Sequence, residues 1–184
     1  MVELAHRSDP LNTTGVRGFR KIIGKPAFAI PMRIERLSFD EWERLRTIRL
    51  RSLLDSPDSF ETTHGQASLF PQESWIKQLH TLPTFVAVLD GEDVGIVRGG
   101  NDEENSDIGW LISLWVAPEA RSLGIGKELS RKVVNWAESE RKRSLLLEVR
   151  EGNEFARNLY DRMGFHPNGG VPSDCCEIQL ELVL

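Results

Sequence analysis

The sequence predicts a mixed α/β fold in which long helices cross a single β-sheet within one domain. The first observation is the order of apolar patterns from Met32 onward, which runs βααβββαβαββ. The second is a composition of 40% hydrophobic and 28% charged residues, which is typical of a globular chain. The third is the length of 184 residues, which suits one domain with a substantial core.

Charge and cysteine content argue against several other classes of protein. The net charge of −5 disfavours a general nucleic-acid binder, which needs a basic surface. Cys175 and Cys176 are adjacent, which fits neither a disulfide framework nor a metal site, and the four histidines are isolated. The apolar runs are too short to span a bilayer, and the first residues lack a signal-peptide pattern. We therefore expect a cytoplasmic protein without a bound metal, a membrane segment or a nucleic-acid partner.

The amino-terminal segment differs from the rest of the chain. Residues 1–31 carry turn formers and show no sustained apolar period. They are predicted to form a loosely structured, poorly ordered extension to a domain that spans residues 32–184. The regular pattern begins at Met32, where MRIERL alternates as a strand does.

The first half of the domain is predicted to hold two helices and three strands. Apolar residues recur at helical spacing from Phe39 to Leu54 and predict the first helix. The segment DSPDSFETTHGQASLFPQ is predicted to be a loop, and a short helix from Pro71 to Leu79 follows it. The segment Asp90–Asp93 predicts a hairpin turn. The three strand predictions, each an apolar run between turn formers, cover residues 84–90, 93–101 and 107–117.

The second half alternates strands and helices. A helix is predicted from Lys127 to about Arg143, and basic residues in its last turn suit the negative end of the helix dipole. A second helix is predicted from Asn153 to Met163, with Gly164 as its terminating glycine. The apolar residues on the core face of the first of these helices are Leu129, Val133, Trp136 and Ala137. The predicted strands cover residues 144–150, the stretch that begins at 165, and 176–184.

The loop VAPEARSLGIGK joins a predicted strand to a predicted helix and carries the first functional signal. A helix N-terminus offers unpaired N–H donors, Gly124 and Gly126 let an anion approach the backbone, and Arg121 adds a positive charge. A dinucleotide fingerprint would need glycine at Leu129, and an NTPase P-loop would need serine or threonine at Glu128. The loop therefore predicts a diphosphate site, with a plain tight turn as the open alternative.

Two motifs stand in order along the chain, separated by a helix and a strand. The first, R-x-x-G-x-G, is formed by Arg121, Gly124 and Gly126. The second, N-x-x-A-x-x-x-Y-x-x-x-G-F, is formed by Asn153, Ala156, Tyr160, Gly164 and Phe165. Over roughly residues 32–184 the chain resembles the GNAT superfamily of N-acetyltransferases, in particular bacterial members of unassigned substrate. The resemblance implies a central mixed sheet, splayed between the strands WLISLWV and SLLLEVR, with acetyl-CoA in the gap.

The resemblance also implies roles for single residues. Tyr160, the one tyrosine of the chain, stands at the family's acid position and is protonated at neutral pH. Glu148 stands where N-terminal alanine acetyltransferases carry a base, and Asp107 is the runner-up. Phe60 and Glu61 lie in the segment expected to line the acceptor pocket. The expected cofactor contacts are Leu114, Trp115, Val116, Arg121, Ser122, Leu123, Gly124, Ile125, Gly126, Lys127, Asn153 and Tyr160.

The function implied is an acetyl-CoA-dependent N-acetyltransferase that moves an acetyl group to a primary amine. Direct transfer in a ternary complex is expected, because nothing nucleophilic accompanies Tyr160 to suggest a covalent acetyl-enzyme. A small-molecule acceptor is favoured, since the loop near residues 56–66 is long enough to close over one. A protein N-terminus or lysine is an alternative acceptor. A second alternative is a non-catalytic acyl-CoA-binding regulatory module on the same fold. Family members are often homodimers, and a dimer is expected here.

Overall fold

The computed structural model describes residues 32–172 and 176–184. The predicted extension at 1–31 lies outside the described residues, as does Cys175. The described helices are α1 (Trp42–Asp55), α2 (His64–Ser68), α3 (Gln72–Thr81), α4 (Ile125–Ser139) and α5 (Glu154–Asp161), with short 3₁₀ turns at Pro57–Ser59 and Pro118–Ala120. The described strands are β1 (Arg33–Arg36), β2 (Thr84–Leu89), β3 (Glu92–Asn101), β4 (Ile108–Val116), β5 (Ser144–Val149), β6 (His166–Pro167) and β7 (Ile178–Val183).

The strands form one mixed sheet in the order β1-β2-β3-β4-β5-β7-β6. Strands β4 and β5 run parallel, and the other neighbouring pairs run antiparallel. The tight β2–β3 turn centres on Asp90 and Gly91, with φ of 53° and 86°. Left-handed conformations at both central residues match the twist of the flanking strands, so the predicted hairpin forms. The fold class predicted from the sequence is confirmed.

Helices cover both faces of the sheet. On one face, α4 buries Leu129, Val133 and Ala137 completely, as its periodicity predicted. A Cβ added at Gly99 on β3 would lie 2.6 Å from Cε3 of Trp136, so glycine is what lets α4 approach the sheet. The neighbouring strand residue, Arg98, lies on the opposite face, where α1 and α3 pack.

In the first half of the domain, two helices differ most from the sequence prediction. Helix α2 lies inside the predicted loop, and Thr63 and Gln66 form a reciprocal capping box at its start. Helix α1 begins at Trp42 rather than Phe39, because Ser38 bonds the carboxylate of Glu41 in a turn ahead of the helix. These are corrections of local extent and leave the element order otherwise unchanged.

Helix α4 ends four residues earlier than predicted, at Ser139 rather than Arg143. Arg141 adopts a left-handed conformation with φ of 60°, which ends the helix. The basic residues expected in its last turn therefore lie beyond it, and the proposed dipole interaction is wrong. None of the helices in the described part of the chain is long and apolar enough to cross a membrane.

Candidate functional site

The parallel strands β4 and β5 separate along their length. They pair through Ile108 with Ser144, Gly109 with Leu145, and Trp110 with Leu146. Beyond that last pair, the described residues provide no pairing between the two strands. Main-chain groups of β4 that face this gap are therefore available to a ligand. The gap opens toward the carboxyl ends of both strands, which is where ligands bind in open α/β sheets.

A β-bulge lies in the part of β4 that pairs with β3 but not with β5. Ser113 and Leu114 together stand opposite Val97 of β3, since Ile96 pairs with Trp115 and Arg98 pairs with Ile112. Ser113 has φ of 58°, a left-handed conformation that a bulge imposes. Of the predicted cofactor contacts, Leu114 belongs to this bulge, and Trp115 and Val116 follow it directly. The structure thus places them on the free stretch of β4.

The amino end of α4 follows this stretch. Gly124 precedes the helix with φ of 79°, and Ser122 is also left-handed with φ of 64°. The N–H groups of Lys127 and Glu128 both bond the carbonyl of Gly124. The N–H groups earlier in the loop precede these helical hydrogen bonds and carry the positive end of the helix dipole. The loop presents backbone donors in the arrangement that binds anions.

Arg121 is engaged within the protein. Its Nε–H donates to the carbonyl of Val116 at 3.0 Å, and its Nη2 pairs with Asp55 at 2.6 Å. The pKa of Asp55 lies below its usual range, chiefly because the Trp115 indole N–H donates to it, with Ser56 and Arg121 adding to the effect. The Arg121 guanidinium therefore braces the loop against the end of α1, and a phosphate would rely on the loop's main chain.

The two sequence motifs meet in space. A Cβ added at Gly126, in the first turn of α4, would lie 3.4 Å from Cδ2 of Leu159 and 3.8 Å from Cγ2 of Val116. Helix α5 therefore packs beside α4, with Tyr160 adjacent to this contact. Tyr160 is buried and packs against Phe165, with ring centroids 5.6 Å apart. Burial raises the pKa of the Tyr160 hydroxyl, so it stays protonated.

The remaining predicted polar residues fall in three places. Asn153 caps α5, because its Oδ1 accepts the N–H of Ala156 at 3.1 Å. Glu148 lies half-buried near the carboxyl end of β5, and its Oε1 accepts from Nε2 of Gln179 at 3.4 Å. Asp107 precedes β4 at the paired end of the strands and forms an ion pair with Arg143 at 3.1 Å. The structure therefore does not bring the runner-up base, Asp107, to the gap.

A cleft of about 480 Å³ lies beside the carboxyl end of β5. Its lining residues are Ser59, Arg150, Glu151, Gly152, Asn153 and Glu177. Phe60 follows Ser59 and is half-buried, whereas Glu61 is exposed. The structure thus places the predicted acceptor residue Phe60 next to an open cleft. Within the described residues, no group of three or more His, Cys, Asp or Glu side chains could hold a metal ion.

Two further features were missed by sequence reasoning. Lys127, Arg131 and Arg162 contribute to a second cleft of about 350 Å³ between α4, α5 and β7. A helical projection of α4 could have shown that Lys127 and Arg131 share a face, but the approach of Arg162 requires the fold. The second feature is Arg49, a cation at a buried position of the α1 core face. The spacing of Arg49 from the buried residues Leu45 and Leu53 could have indicated that it lies on the core face of α1.

The sequence matches a known protein family over most of the domain, and it matches individual proteins over shorter segments. The family model for the acetyltransferase (GNAT) family matches residues 42–165. An uncharacterized N-acetyltransferase from Methanocaldococcus jannaschii is 38% identical over 89 residues, which is 48% of this chain and 55% of that protein. The N-acetylaspartate synthetase of Homo sapiens is 35% identical over 85 residues, or 46% of this chain and 28% of that protein. The matches therefore span about half or less of these relatives.

Solved structures share the fold at low sequence identity. A GNAT-family acetyltransferase from Streptococcus pneumoniae has a TM-score of 0.71 and 21% identity, with 84% of this chain and 99% of that chain covered. An acetyltransferase from Salmonella typhimurium, solved with its cofactor acetyl-CoA, has a TM-score of 0.68 and 14% identity, with 83% and 94% covered.

The protein combines a mixed sheet, in which β4 and β5 pair only near their amino ends, with a glycine loop at a helix N-terminus. The chain belongs to the acetyltransferase (GNAT) family, an acyltransferase family whose members use acetyl-CoA. This membership confirms the superfamily that the motifs predicted, and an acyltransferase with acetyl-CoA as donor is what that family implies.

Proposed function

We propose that the protein transfers an acetyl group from acetyl-CoA directly to a primary amine in a ternary complex. The observation that carries this proposal is the convergence of three features at one place. The gap between β4 and β5 opens onto the glycine loop, and α5, which carries Tyr160, packs through Leu159 against the first turn of α4. An extended cofactor with a diphosphate and a reactive end suits this arrangement.

The chain's residues fit coenzyme A. The loop N–H groups of Ser122 through Gly126 would hold the diphosphate, and the main chain of Leu114 to Val116 would pair with the pantetheine arm. Lys127, Arg131 and Arg162 bring positive charge to the adjacent cleft, which suits further phosphate. Asn153 is already committed to capping α5, so its contribution to the cofactor is through that helix. When bound, acetyl-CoA supplies an acetyl group activated as a thioester.

Tyr160 is proposed as the general acid. Its hydroxyl keeps its proton across the physiological range, because burial raises its pKa. The departing thiolate of coenzyme A would take up this proton to leave as a free thiol. The sequence from Asn153 to Phe165 contains no cysteine, serine or threonine, which supports direct transfer rather than a covalent acetyl-enzyme.

Glu148 is proposed as the base. It lies half-buried toward the carboxyl end of β5, on the strand that borders the gap. A carboxylate can accept a proton from an alkylammonium group directly or through one water molecule. The hydrogen bond from Gln179 on β7 would fix the orientation of its carboxylate. The neutral amine is the form that can attack.

A small-molecule acceptor is the favoured form of the proposal. The 480 Å³ cleft lies between the 3₁₀ turn that holds Ser59 and the β5–α5 loop, and it has the dimensions of small-ligand sites. Phe60 and Glu61 follow Ser59 and are proposed to line the acceptor side. The name of the N-acetylaspartate synthetases gives a small acetylated amino acid as their product, which supports this preference.

Two measurements test the proposed function. Acetyl-CoA should raise the melting temperature, because it binds the native state alone. Free thiol should then appear when a panel of small amines, amino acids and peptides is added. Thiol release with peptides alone would replace the small-molecule acceptor with a protein N-terminus or lysine. Binding of acetyl-CoA without thiol release over the whole panel would contradict the transferase and favour a regulatory module.

A cytoplasmic homodimer remains part of the proposal. The adjacent cysteines support a reducing compartment, and the family resemblance supports the dimer. Light scattering of the purified protein measures its mass directly. A mass of 20.9 kDa in solution would be that of the monomer and would contradict the dimer.

A further inference from the structure

Two arginines are buried in the layer between the sheet and helices α1 and α3. Arg49 on α1 is 6% exposed, and Arg98 on β3 is 7% exposed. Arginine is rarely buried to this extent unless a carboxylate pairs with it. Over residues 32–172 and 176–184, neither arginine forms an ion pair. By contrast, the more accessible Arg44 forms ion pairs with three carboxylates.

The hydrogen bonds of both guanidinium groups are incomplete. Arg98 donates from Nη1 to Oε1 of Gln78 at 2.8 Å and from Nη2 to Oγ of Ser113 at 2.7 Å, and both acceptors are neutral. Its Nε–H is buried and has no partner among the described residues. Arg49 makes a 3.4 Å contact from Nη1 to Oγ of Ser52 and lies 4.2 Å above the ring centroid of Phe60. Each cation therefore has donors that no anion satisfies.

The two positive charges also act on each other. Burial lowers the pKa of Arg98 to about 10. Burial and, to a smaller extent, the charge of Arg98 together lower the pKa of Arg49 to about 9. A guanidinium keeps its proton in proteins, so these directions express the free-energy cost of two adjacent unneutralised charges. An anion placed between them would remove much of that cost.

The pair lies between the gap and the cleft. Arg98 bonds Ser113, which is the bulge residue on the free stretch of β4. Arg49 rests on Phe60, and the preceding residue, Ser59, lines the 480 Å³ cleft. A molecule that enters from this cleft past Phe60 would reach the guanidinium groups beside the β4 gap. This is the side on which the proposed function places the acceptor amine.

We propose that the acceptor is a primary amine that also carries a carboxylate, and that Arg49 and Arg98 bind this carboxylate. The inference rests on the proposed transferase function and names its substrate class. A carboxylate is planar and takes two N–H donors of a guanidinium at once, which matches the fork that Arg98 presents. The free Nε–H of Arg98 and the weakly used donors of Arg49 would complete their hydrogen bonds on it.

The first test uses the wild-type protein and needs no variant. The nineteen proteinogenic amino acids with a primary amine, β-alanine and γ-aminobutyrate are each compared with their carboxamides, which keep the primary amine and lose the negative charge of that carboxylate. With coenzyme A present, some of the acids should raise the melting temperature while their amides do not. With acetyl-CoA, kcat/KM measured by thiol release should favour those acids by at least about tenfold.

The second test locates the preference on the two arginines. Arg49→Met and Arg98→Gln remove one cation each, and Arg46→Met removes an exposed cation from the same helix as a matched control. The two buried-site variants should reduce the acid-over-amide ratio by about tenfold or more, whereas the control should keep it. Arg98→Lys should restore part of the ratio, because it returns the charge without the planar fork.

The outcomes separate this inference from the proposed function. Acetylation of amines with no preference for the acids would overturn the carboxylate site while the transferase stands. Stabilisation by acids without thiol release would overturn the transferase while the carboxylate site stands. A preference that survives both arginine substitutions, or the absence of stabilisation by every acid tested, would also overturn the site. If either variant fails to fold, the wild-type comparison of acids with amides decides the question.

Discussion

The two sides of the β4–β5 opening are built from different parts of the chain. On the proposed cofactor side, the groups available to a ligand are main-chain groups of the β4 edge and of the loop before α4, where Gly124 has φ of 79°. On the proposed acceptor side, the groups are side chains that come from α1, α3, β3 and β4. The groups on the first side lie close together in the sequence. Those on the second side come together only when the chain folds.

This difference has a physical origin. A diphosphate is common to every reaction of the family, and backbone donors held by a helix bind it whatever the neighbouring side chains are. An acceptor is recognised by charge and shape, which backbone groups cannot vary. Substitutions on the cofactor side should therefore act through backbone conformation, and those on the acceptor side through charge.

Tyr160→Phe should have the largest effect. Loss of the phenol proton is expected to lower kcat by roughly two to four orders of magnitude, the usual contribution of a general acid. Acetyl-CoA affinity should change little, because the ring remains packed against Phe165. Single-turnover thiol release measures the first quantity and calorimetry the second. A variant with wild-type kcat would remove Tyr160 from the chemistry.

The glycine pair gives a sharper test of backbone control. Gly124→Ala forces a left-handed conformation on alanine, which costs about 1–2 kcal/mol and should weaken coenzyme A binding. Gly126→Ala is the matched control for stability, because its Cβ would meet Leu159 at an ordinary 3.4 Å and alanine favours a helix. Denaturation and calorimetry of both variants report stability and affinity. An equal loss of stability in the two variants would contradict a requirement for a left-handed conformation at Gly124.

Asn153→Ala should have a smaller effect that is confined to stability. Its Oδ1 caps α5 through the N–H of Ala156, and loss of such a cap costs about 1 kcal/mol. Urea unfolding at neutral pH measures this difference. Asn153→Ser, which can still cap, serves as the control. A variant that keeps full stability but loses cofactor affinity would show that the side chain faces the ligand instead.

Asp55→Asn tests the brace between α1 and the loop through pH. The folded pKa of Asp55 is lowered, first by the Trp115 indole N–H, so its stabilising contribution is present above the unfolded pKa near 3.9. That contribution is lost as the pH falls through the folded pKa. The melting-temperature difference between wild type and variant should therefore shrink as the pH is lowered from 7 to 2. A difference that is constant across this range would contradict the assignment.

The sequence predicted the fold and the loop before α4 far better than it predicted the buried arginine pair. Glycine positions, strand alternation and helix spacing are local signals, so the hairpin at Asp90 and the loop before α4 could be recognised. Helix α2 was missed although Thr63 and Gln66 have the spacing of a capping box, because the surrounding segment lacks an apolar period. Asp107 was a reasonable candidate base from its position in the sequence. Strand direction places it at the opposite end of β4.

The arginine pair could not be predicted because its members are 49 positions apart and come from different layers. Ile48 and Arg49 are consecutive residues of α1, and both are buried. The pattern DVGIVRGGN around Arg98 predicts a strand. It does not indicate whether the folded protein supplies a counterion for the arginine. That information exists only after α1, α3 and β4 have packed.

The bulge at Ser113 makes the number of residues in β4 as important as their identity. Side chains along a strand alternate between faces, and one extra residue reverses that alternation for everything after it. Ile112 and Trp115 consequently share a face although they are three positions apart, as their partners Arg98 and Ile96 show. Deleting Ser113 would turn the Trp115 indole away from Asp55 and toward α4. The length of this strand is therefore a constraint on evolution that a comparison of residue types alone would overlook.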